Sequence, residues 1–205
     1  AASSIPLVTL GTFLLWFGWF GFNGFSQLAM GTFDDVNAIS KIAVNTHLAG
    51  AAGTVTGAAL TRLLGGKTDI VMMLNGALAG LVAITAEPLT PGPITAMLIG
   101  SIGAVIMYYG TKMLESFGLD DVVGAIPVHM FAGIFGTLVV PFTNGDTNFG
   151  TQFIGMLSVV AFSFVLSYLA FIAIKATVGL RISKEAEKLG TDKAEVGVTA
   201  YSIRD

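Results

Sequence analysis

The chain has 205 residues, of which 54% are hydrophobic and only 11% are charged, and its mean hydropathy is +0.80. Soluble domains carry about a quarter charged residues, so this composition excludes a water-exposed globular surface and predicts an integral membrane protein. The net charge of −3 gives no support for nucleic-acid binding, and the absence of cysteine excludes disulfides and thiolate metal sites. Since the first residue is not methionine, we expect a fragment of a longer protein.

Charged residues divide the chain into six uncharged or nearly uncharged segments, each long enough for one transmembrane helix. Such a helix needs about 20 apolar residues. The predicted spans are 6–29, 43–63, 70–86, 93–113, 122–140 and 151–177. The sequence therefore predicts an all-α polytopic membrane protein, with a transmembrane domain over 1–180 and a polar tail over 181–205.

The distribution of positive charge predicts the orientation. Six spans place both termini on one side, and all ten Lys and Arg residues except Lys41 fall on that side. Cytoplasmic loops are enriched in Lys and Arg. The C-terminal tail is therefore predicted to be cytoplasmic.

Glycines occur at helical spacing within the spans. Gly53 and Gly57 are four residues apart, and Gly76 and Gly80 repeat this spacing in the next span. Small residues at this spacing let two helix backbones approach closely. We interpret these glycines as packing residues without a chemical role.

His129 lies within the apolar run PVHMFAGIFG, about two helical turns into its span and near mid-membrane. Ionisable groups at this depth are costly and usually face a bundle interior or a cavity. His129 is therefore either functional or a buried histidine bonded to a neighbouring helix. Pro127 releases a backbone carbonyl near Val123, either at a cavity or at a plain kink. For His47, near the outer end of its span, we expect an interfacial or interhelix contact.

The first span, LGTFLLWFGWFGFNGFSQL (10–28), is rich in aromatic side chains, Trp19 among them. An aromatic belt at the membrane interface, together with packing, would account for them. However, Phe22, Asn23 and Ser26 fall together near the outer end. Aromatic faces attract cations and Ser26 adds a hydroxyl. The residues alone leave both alternatives open: belt and packing, or a site for a small cation.

Four stretches together resemble the ammonium transporter family (Amt/Mep/Rh). They are GTFLLWFGWFGFNGFS (11–26), NGALAGLVAITAEP (75–88), DDVVGAIPVHMFAGIFGTL (120–138) and TVGLRISKEAEKLGTD (177–192). The resemblance implies an eleven-span fold with an inverted repeat, of which this chain would be the second half, spans six to eleven. It also implies a homotrimer in which each subunit has its own pore.

The resemblance assigns roles to four residues. His129 matches the second of two histidines at the pore centre, and Phe22 matches one of two stacked phenylalanines at the outer gate. Trp19 matches an aromatic residue of the pore wall, and Ser26 matches the vestibule hydroxyl that helps to hold ammonium. The partner histidine, the second gate phenylalanine and the vestibule tryptophan would lie in the other half.

The implied mechanism is deprotonation of ammonium at the vestibule, passage of ammonia, and separate transfer of the proton through paired histidines. A dry pore penalises any ion, and histidine can relay a proton because its unperturbed pKa is about 6.5. Potassium has no proton to lose and is rejected. We expect no cofactor, no metal site and no enzymatic activity, since no nucleophile–base arrangement is visible.

Two departures from the family pattern affect the expected partners. Many members carry an aspartate five residues before this histidine, where this chain has Gly124, and the tail ends EVGVTAYSIRD in place of a histidine-glycine-glutamate stretch. The altered tail weakens the expectation of a PII-type regulator. The expected location is a bacterial inner membrane. An ammonium-sensing receptor module of the same fold is the alternative function, because some members are fused to signalling domains.

Overall fold

The computed structural model describes residues 4–200, and all regular secondary structure within that range is helical, as predicted. The main helices are α1 (Ile5–Gly24), α2 (Phe33–Gly65), α3 (Ile70–Thr85), α4 (Pro93–Ser116), α5 (Ala132–Val139), α6 (Phe149–Thr177) and α7 (Lys184–Leu189). A π-helical segment, Ile126–Phe131, leads directly into α5. The chain forms two compact units, Ala1–Met156 and Leu157–Asp205.

Within residues 4–200, three helical stretches are long and apolar enough to cross a membrane: Ile5–Gln27, Pro93–Ser116 and Phe149–Thr177. Two shorter apolar stretches, Ile70–Thr85 and Ile126–Phe142, lie between them along the chain. These lengths fit the membrane class that composition predicts, and all five stretches start and end within four residues of a predicted span.

Helix α2 is longer than the predicted span 43–63 and starts ten residues earlier, at Phe33. The cause is a capping box, in which the Thr32 hydroxyl accepts a hydrogen bond from the Asp35 N–H and the Asp35 carboxylate accepts one from the Thr32 N–H. Such reciprocal caps satisfy the free donors at a helix start. The charges that limited the predicted span therefore lie within the helix and do not interrupt it.

Helices α2, α3 and α4 pack tightly through glycine. A Cβ on Gly57 would lie 2.7 Å from the Met72 carbonyl oxygen, and one on Gly53, Gly76 or Gly80 would also collide with the backbone of the facing helix. The predicted role of these glycines in close packing is confirmed. Backbones that touch in this way leave the helices little freedom to shift.

The predicted span 122–140 starts before the first helical residue of this segment, because residues 121–124 form a loop. The Asp121 carboxylate accepts hydrogen bonds from the N–H groups of Ala125 (2.9 Å) and Ile126 (2.7 Å), and Gly124 has a positive φ of +73°. The helical residues therefore begin after Gly124. Near the N-terminus, α1 ends at Gly24 and is followed by a single 3₁₀ turn, Phe25–Gln27. The helical residues therefore end before residue 29, the predicted end of the first span.

In the second unit, the N-terminal cap of α7 is the Ser183 hydroxyl, which accepts a hydrogen bond from the Ala186 N–H. A π-helical turn, Asp192–Val196, follows. None of the described residues from 157 to 200 is buried. The division between the two units lies inside α6, a helix that contains no buried residue.

Candidate functional site

Three of the predicted site residues lie at the end of α1 and in the 3₁₀ turn that follows it. The rings of Trp19 and Phe22 meet edge to face, with their centroids 5.9 Å apart and an interplanar angle of 60°. The Ser26 hydroxyl donates a 3.2 Å hydrogen bond to the Phe22 carbonyl oxygen. Spacings of three and four residues place such side chains on one side of a helix. Ser26 and Phe22 are exposed in this chain and Trp19 is half-buried.

The fourth residue, His129, reaches this group from a distant part of the sequence. Its imidazole lies nearly parallel to the Trp19 indole, with ring centroids 6.5 Å apart and an interplanar angle of 15°. Separations of 4.5–7 Å are typical of interacting aromatic pairs. The structure therefore brings Phe22, Trp19 and His129 together as a line of rings, which we call the ring line, with Ser26 beside Phe22.

A hydrogen bond fixes the middle ring of this line. Trp19 Nε1 donates to the Thr85 hydroxyl at 2.7 Å, and that hydroxyl donates in turn to the Leu81 carbonyl oxygen at 2.7 Å. Thr85 is the last residue of α3, and Leu81 is fully buried within the same helix. The orientation of the Trp19 indole is therefore tied to the most buried part of the fold.

The backbone that carries His129 is held by Asn75 of α3. The Asn75 amide donates a 2.9 Å hydrogen bond to the Val123 carbonyl oxygen, the group that Pro127 releases. The prediction of a freed carbonyl near Val123 is confirmed, and the structure supplies its partner. A Cβ on Gly124 would lie 2.6 Å from Asn75 Nδ2, so only glycine fits both the positive φ and this close approach.

A cavity of about 410 Å³ adjoins this contact, and its lining includes Asn75, Pro127, Asp69 and Asp121. The Asp69 carboxylate caps α3 by accepting a hydrogen bond from the Met72 N–H at 3.0 Å. Asp121 is likewise occupied by backbone N–H groups at the start of the helical segment. These two carboxylates therefore act as helix caps.

The other two polar residues singled out in the spans have structural contacts. The His47 ring packs against Trp16 at 5.5 Å and Phe20 at 6.2 Å between centroids, which confirms the expected interhelix contact. Asn23 is 1% exposed, and its amide donates to the Thr46 hydroxyl at 2.9 Å. Asn23 therefore does not share the exposed site of Phe22 and Ser26, because one residue turns the helix by about 100°.

Comparison with known proteins identifies the family. The profile of the Ammonium Transporter Family matches residues 1–201. The chain belongs to this family. It is 41% identical over 218 residues to ammonium transporter Amt2 of Archaeoglobus fulgidus, a match that covers 97% of this chain and 46% of the relative. Ammonium transporter Amt2 of Methanocaldococcus jannaschii is 35% identical over 206 residues, covering 97% of this chain and 47% of the relative.

Solved structures of the ammonium transporter family have the same fold. The structure described as a sensor Amt protein gives a TM-score of 0.85 at 34% identity and covers 94% of this chain and 49% of that one. Candida albicans Mep2 gives 0.81 at 26% identity, covering 95% and 47%. The chain thus spans about half the length of the family members it matches.

Two residues that hold the site, Thr85 and Asn75, were not identified from the sequence. They are the two polar residues of the otherwise apolar helix α3, with Thr85 at its end and Asn75 in its second turn. Polar side chains within membrane spans usually have a partner inside the bundle. That general rule could have drawn attention to both, although it would not have named their partners.

Proposed function

We propose that this chain supplies half of an ammonium pore, in which ammonium loses its proton at the outer end and ammonia passes along the ring line. The observation that carries the proposal is the contact between His129 and Trp19, with Phe22 and Ser26 on the same helix end. The contacts among these four residues support a path along them. The names of the relatives, ammonium transporters from two archaea, support the same substrate.

The chemistry of the path favours ammonia over ions. At the outer end, the faces of Phe22 and Trp19 attract a cation, and the Ser26 oxygen can accept a hydrogen bond from it. Further along, the rings offer no charged group, so that an ion loses its hydration without compensation. Neutral ammonia avoids that cost, and a His129 imidazole nitrogen can accept a hydrogen bond from it or relay the released proton. Potassium carries no such proton and is excluded.

The proposal extends to assembly and orientation. The chain corresponds to spans six to eleven of a homotrimeric membrane protein, with a cytoplasmic C-terminal tail and a location in a bacterial inner membrane. The partner histidine of His129 and the second gate phenylalanine would come from the other half. A PII-type regulator at the tail is the weakest part of this proposal, because the tail sequence departs from the family pattern.

The test is ammonium-elicited current in proteoliposomes that contain the full-length protein. We expect a sustained current with ammonium and none with potassium, and we expect His129→Ala to lower the ammonium current by roughly 100-fold or more, in line with the loss of a proton-transfer group. His47→Ala is the matched control, since His47 packs against Trp16 and Phe20, away from the ring line. Equal currents for both variants would contradict the role of His129.

Ammonium sensing is the second candidate, and the similarity to a sensor Amt protein at a TM-score of 0.85 favours it specifically. A sensor would bind ammonium at the same outer residues without conducting it. Saturable ammonium binding to the full-length protein without a sustained current would support this function and exclude transport. A downstream kinase or cyclase domain in the full-length gene product would support it further.

A further inference from the structure

We propose that Thr85 is a positioning residue of the pore, whose hydroxyl holds the Trp19 indole parallel to the His129 imidazole. This inference rests on the proposed function and adds to it a residue of α3 that touches neither His129 nor the outer gate in the contacts described above. Thr85 acts through Trp19, so it is not itself a catalytic residue.

The first step is the geometry of the hydroxyl. A threonine hydroxyl has a single proton and two acceptor lone pairs. Thr85 uses that proton for the Leu81 carbonyl four residues earlier, at 2.7 Å, a common arrangement in helices. The direction of its lone pairs is thereby set by the α3 backbone. One lone pair accepts the Trp19 Nε1 proton at 2.7 Å.

The second step is a comparison between the two tryptophans of the chain. Trp16 Nε1 is buried and has no hydrogen-bond partner, and its ring packs against the backbone at Gly50. Burial therefore does not by itself produce a bonded indole in this fold. Trp16 and Trp19 are both half-buried and pack against the same core cluster, but the Trp19 N–H has a short hydrogen bond to another helix. A bond of this kind fixes the rotation of the ring.

The third step links the indole to His129. The two rings are 15° from parallel and 6.5 Å apart, so a rotation of the indole would change the surface that the imidazole faces. Without the hydroxyl, the indole N–H would lie unpaired in apolar surroundings, which is unfavourable. We expect the ring to turn towards another acceptor and to leave its position beside His129.

The test compares three variants of the full-length protein in proteoliposomes. Thr85→Val removes the hydroxyl but keeps the shape, Thr85→Ser keeps the hydroxyl, and Thr54→Val is the control. Thr54 is also half-buried within a helix, and its hydroxyl bonds only its own helix, at the Gly50 carbonyl. We expect Thr85→Val to lower the ammonium current by about 2- to 10-fold, the range for loss of one neutral hydrogen bond, and to shift its pH profile. We expect Thr85→Ser and Thr54→Val to remain within about 2-fold of the parent.

A second measurement follows the contact directly, whether or not the parent carries a current. In nitrogen-labelled full-length protein, the Trp19 indole N–H resonance is identified by its loss in Trp19→Phe. Thr85→Val should move this resonance to the position of an unbonded indole, whereas Thr85→Ser and Thr54→Val should leave it in place.

The outcomes separate this inference from the function on which it rests. A silent parent and a silent Thr54→Val would overturn the proposed transport, and with it the transport role of Thr85. An active parent with an unchanged pH profile and current in Thr85→Val would overturn the positioning role alone. An indole resonance that does not respond to Thr85→Val would overturn the hydrogen bond itself.

Discussion

The packed core of α2, α3 and α4 and the two rings that α1 contributes to the ring line use side chains in opposite ways. In the core, glycines bring backbones into direct contact, as where Gly57 faces the Met72 carbonyl. On the ring line, large rings project from the helix, and Phe22 remains 66% exposed in this chain. The difference indicates that the helical core is rigid because its glycines, which have no side chains, let the backbones touch. An exposed ring such as Phe22 is then free of any part in holding the helices together.

Helix α3 belongs to both regions and joins them. Gly76 and Gly80 form part of the core, while the polar residues Asn75 and Thr85 hold the two elements that meet at the ring line. Asn75 holds the backbone before the π-helical segment, and Thr85 holds the Trp19 indole. A single rigid helix thereby fixes both partners of the ring contact relative to each other.

The largest expected effect is at the core. Gly53→Val places a branched side chain where a Cβ alone would collide with the Gly76 carbonyl. Backbone cannot give way as a side chain can, so we expect the free energy of unfolding to fall by about 3 kcal/mol or more, measured by thermal unfolding of the detergent-solubilised protein. Gly11→Val is the control, because no heavy atom lies within 4 Å of a Cβ there. Equal unfolding temperatures for the two variants would contradict the tight core.

An intermediate effect is expected where the core meets the ring line. Gly124→Ala adds strain at φ +73° and a contact of 2.6 Å to Asn75 Nδ2, and we expect a loss of about 2 kcal/mol in unfolding free energy. Gly118→Ala isolates the strain, because Gly118 has φ +68° and no heavy atom near its Cβ position. We expect the control to lose less and to leave the ammonium current unchanged.

A double-mutant cycle separates the clash at Gly124 from the strain. Asn75→Ala alone removes the donor to the Val123 carbonyl, at a cost of about 0.5–1.5 kcal/mol for the loss of one hydrogen bond. In the double variant the clash is also gone. Its loss of unfolding free energy should therefore be smaller than the sum of the losses in the two single variants. Strict additivity of the unfolding free energies would show that Asn75 and Gly124 do not interact.

The outline of the fold was predictable from the sequence because hydropathy and charge act locally. Helix ends were less predictable: α2 starts early because of the Thr32–Asp35 box, and the helical residues before α5 start late because Asp121 caps them after a left-handed Gly124. Hydropathy contains no information on capping. At both of these helix starts, a short-range hydrogen bond is the cause of the difference.

The candidate site was predictable only in part. The family resemblance named Trp19 and His129, but their contact joins residues 110 positions apart, which no local pattern encodes. The bond from Trp19 to Thr85 spans 66 positions. Such contacts depend on how the helices pack, and that packing depends in turn on glycine contacts whose partners the spacing alone does not identify.

The smallest effect on stability is expected on the ring line, where the comparison with the core is most direct. Phe22→Ala removes a whole ring, yet most of that ring makes no contact within this chain, so we expect a change within about 0.5 kcal/mol in unfolding free energy. Phe17→Ala, at a residue 78% exposed, is the matched control and should behave alike in thermal unfolding. Only Phe22→Ala should alter transport, by lowering the ratio of ammonium to potassium current, because Phe22 belongs to the ring line. Gly53→Val would then lower the unfolding free energy far more than Phe22→Ala. An equally large loss of unfolding free energy in Phe22→Ala would mean that the Phe22 ring supports the fold.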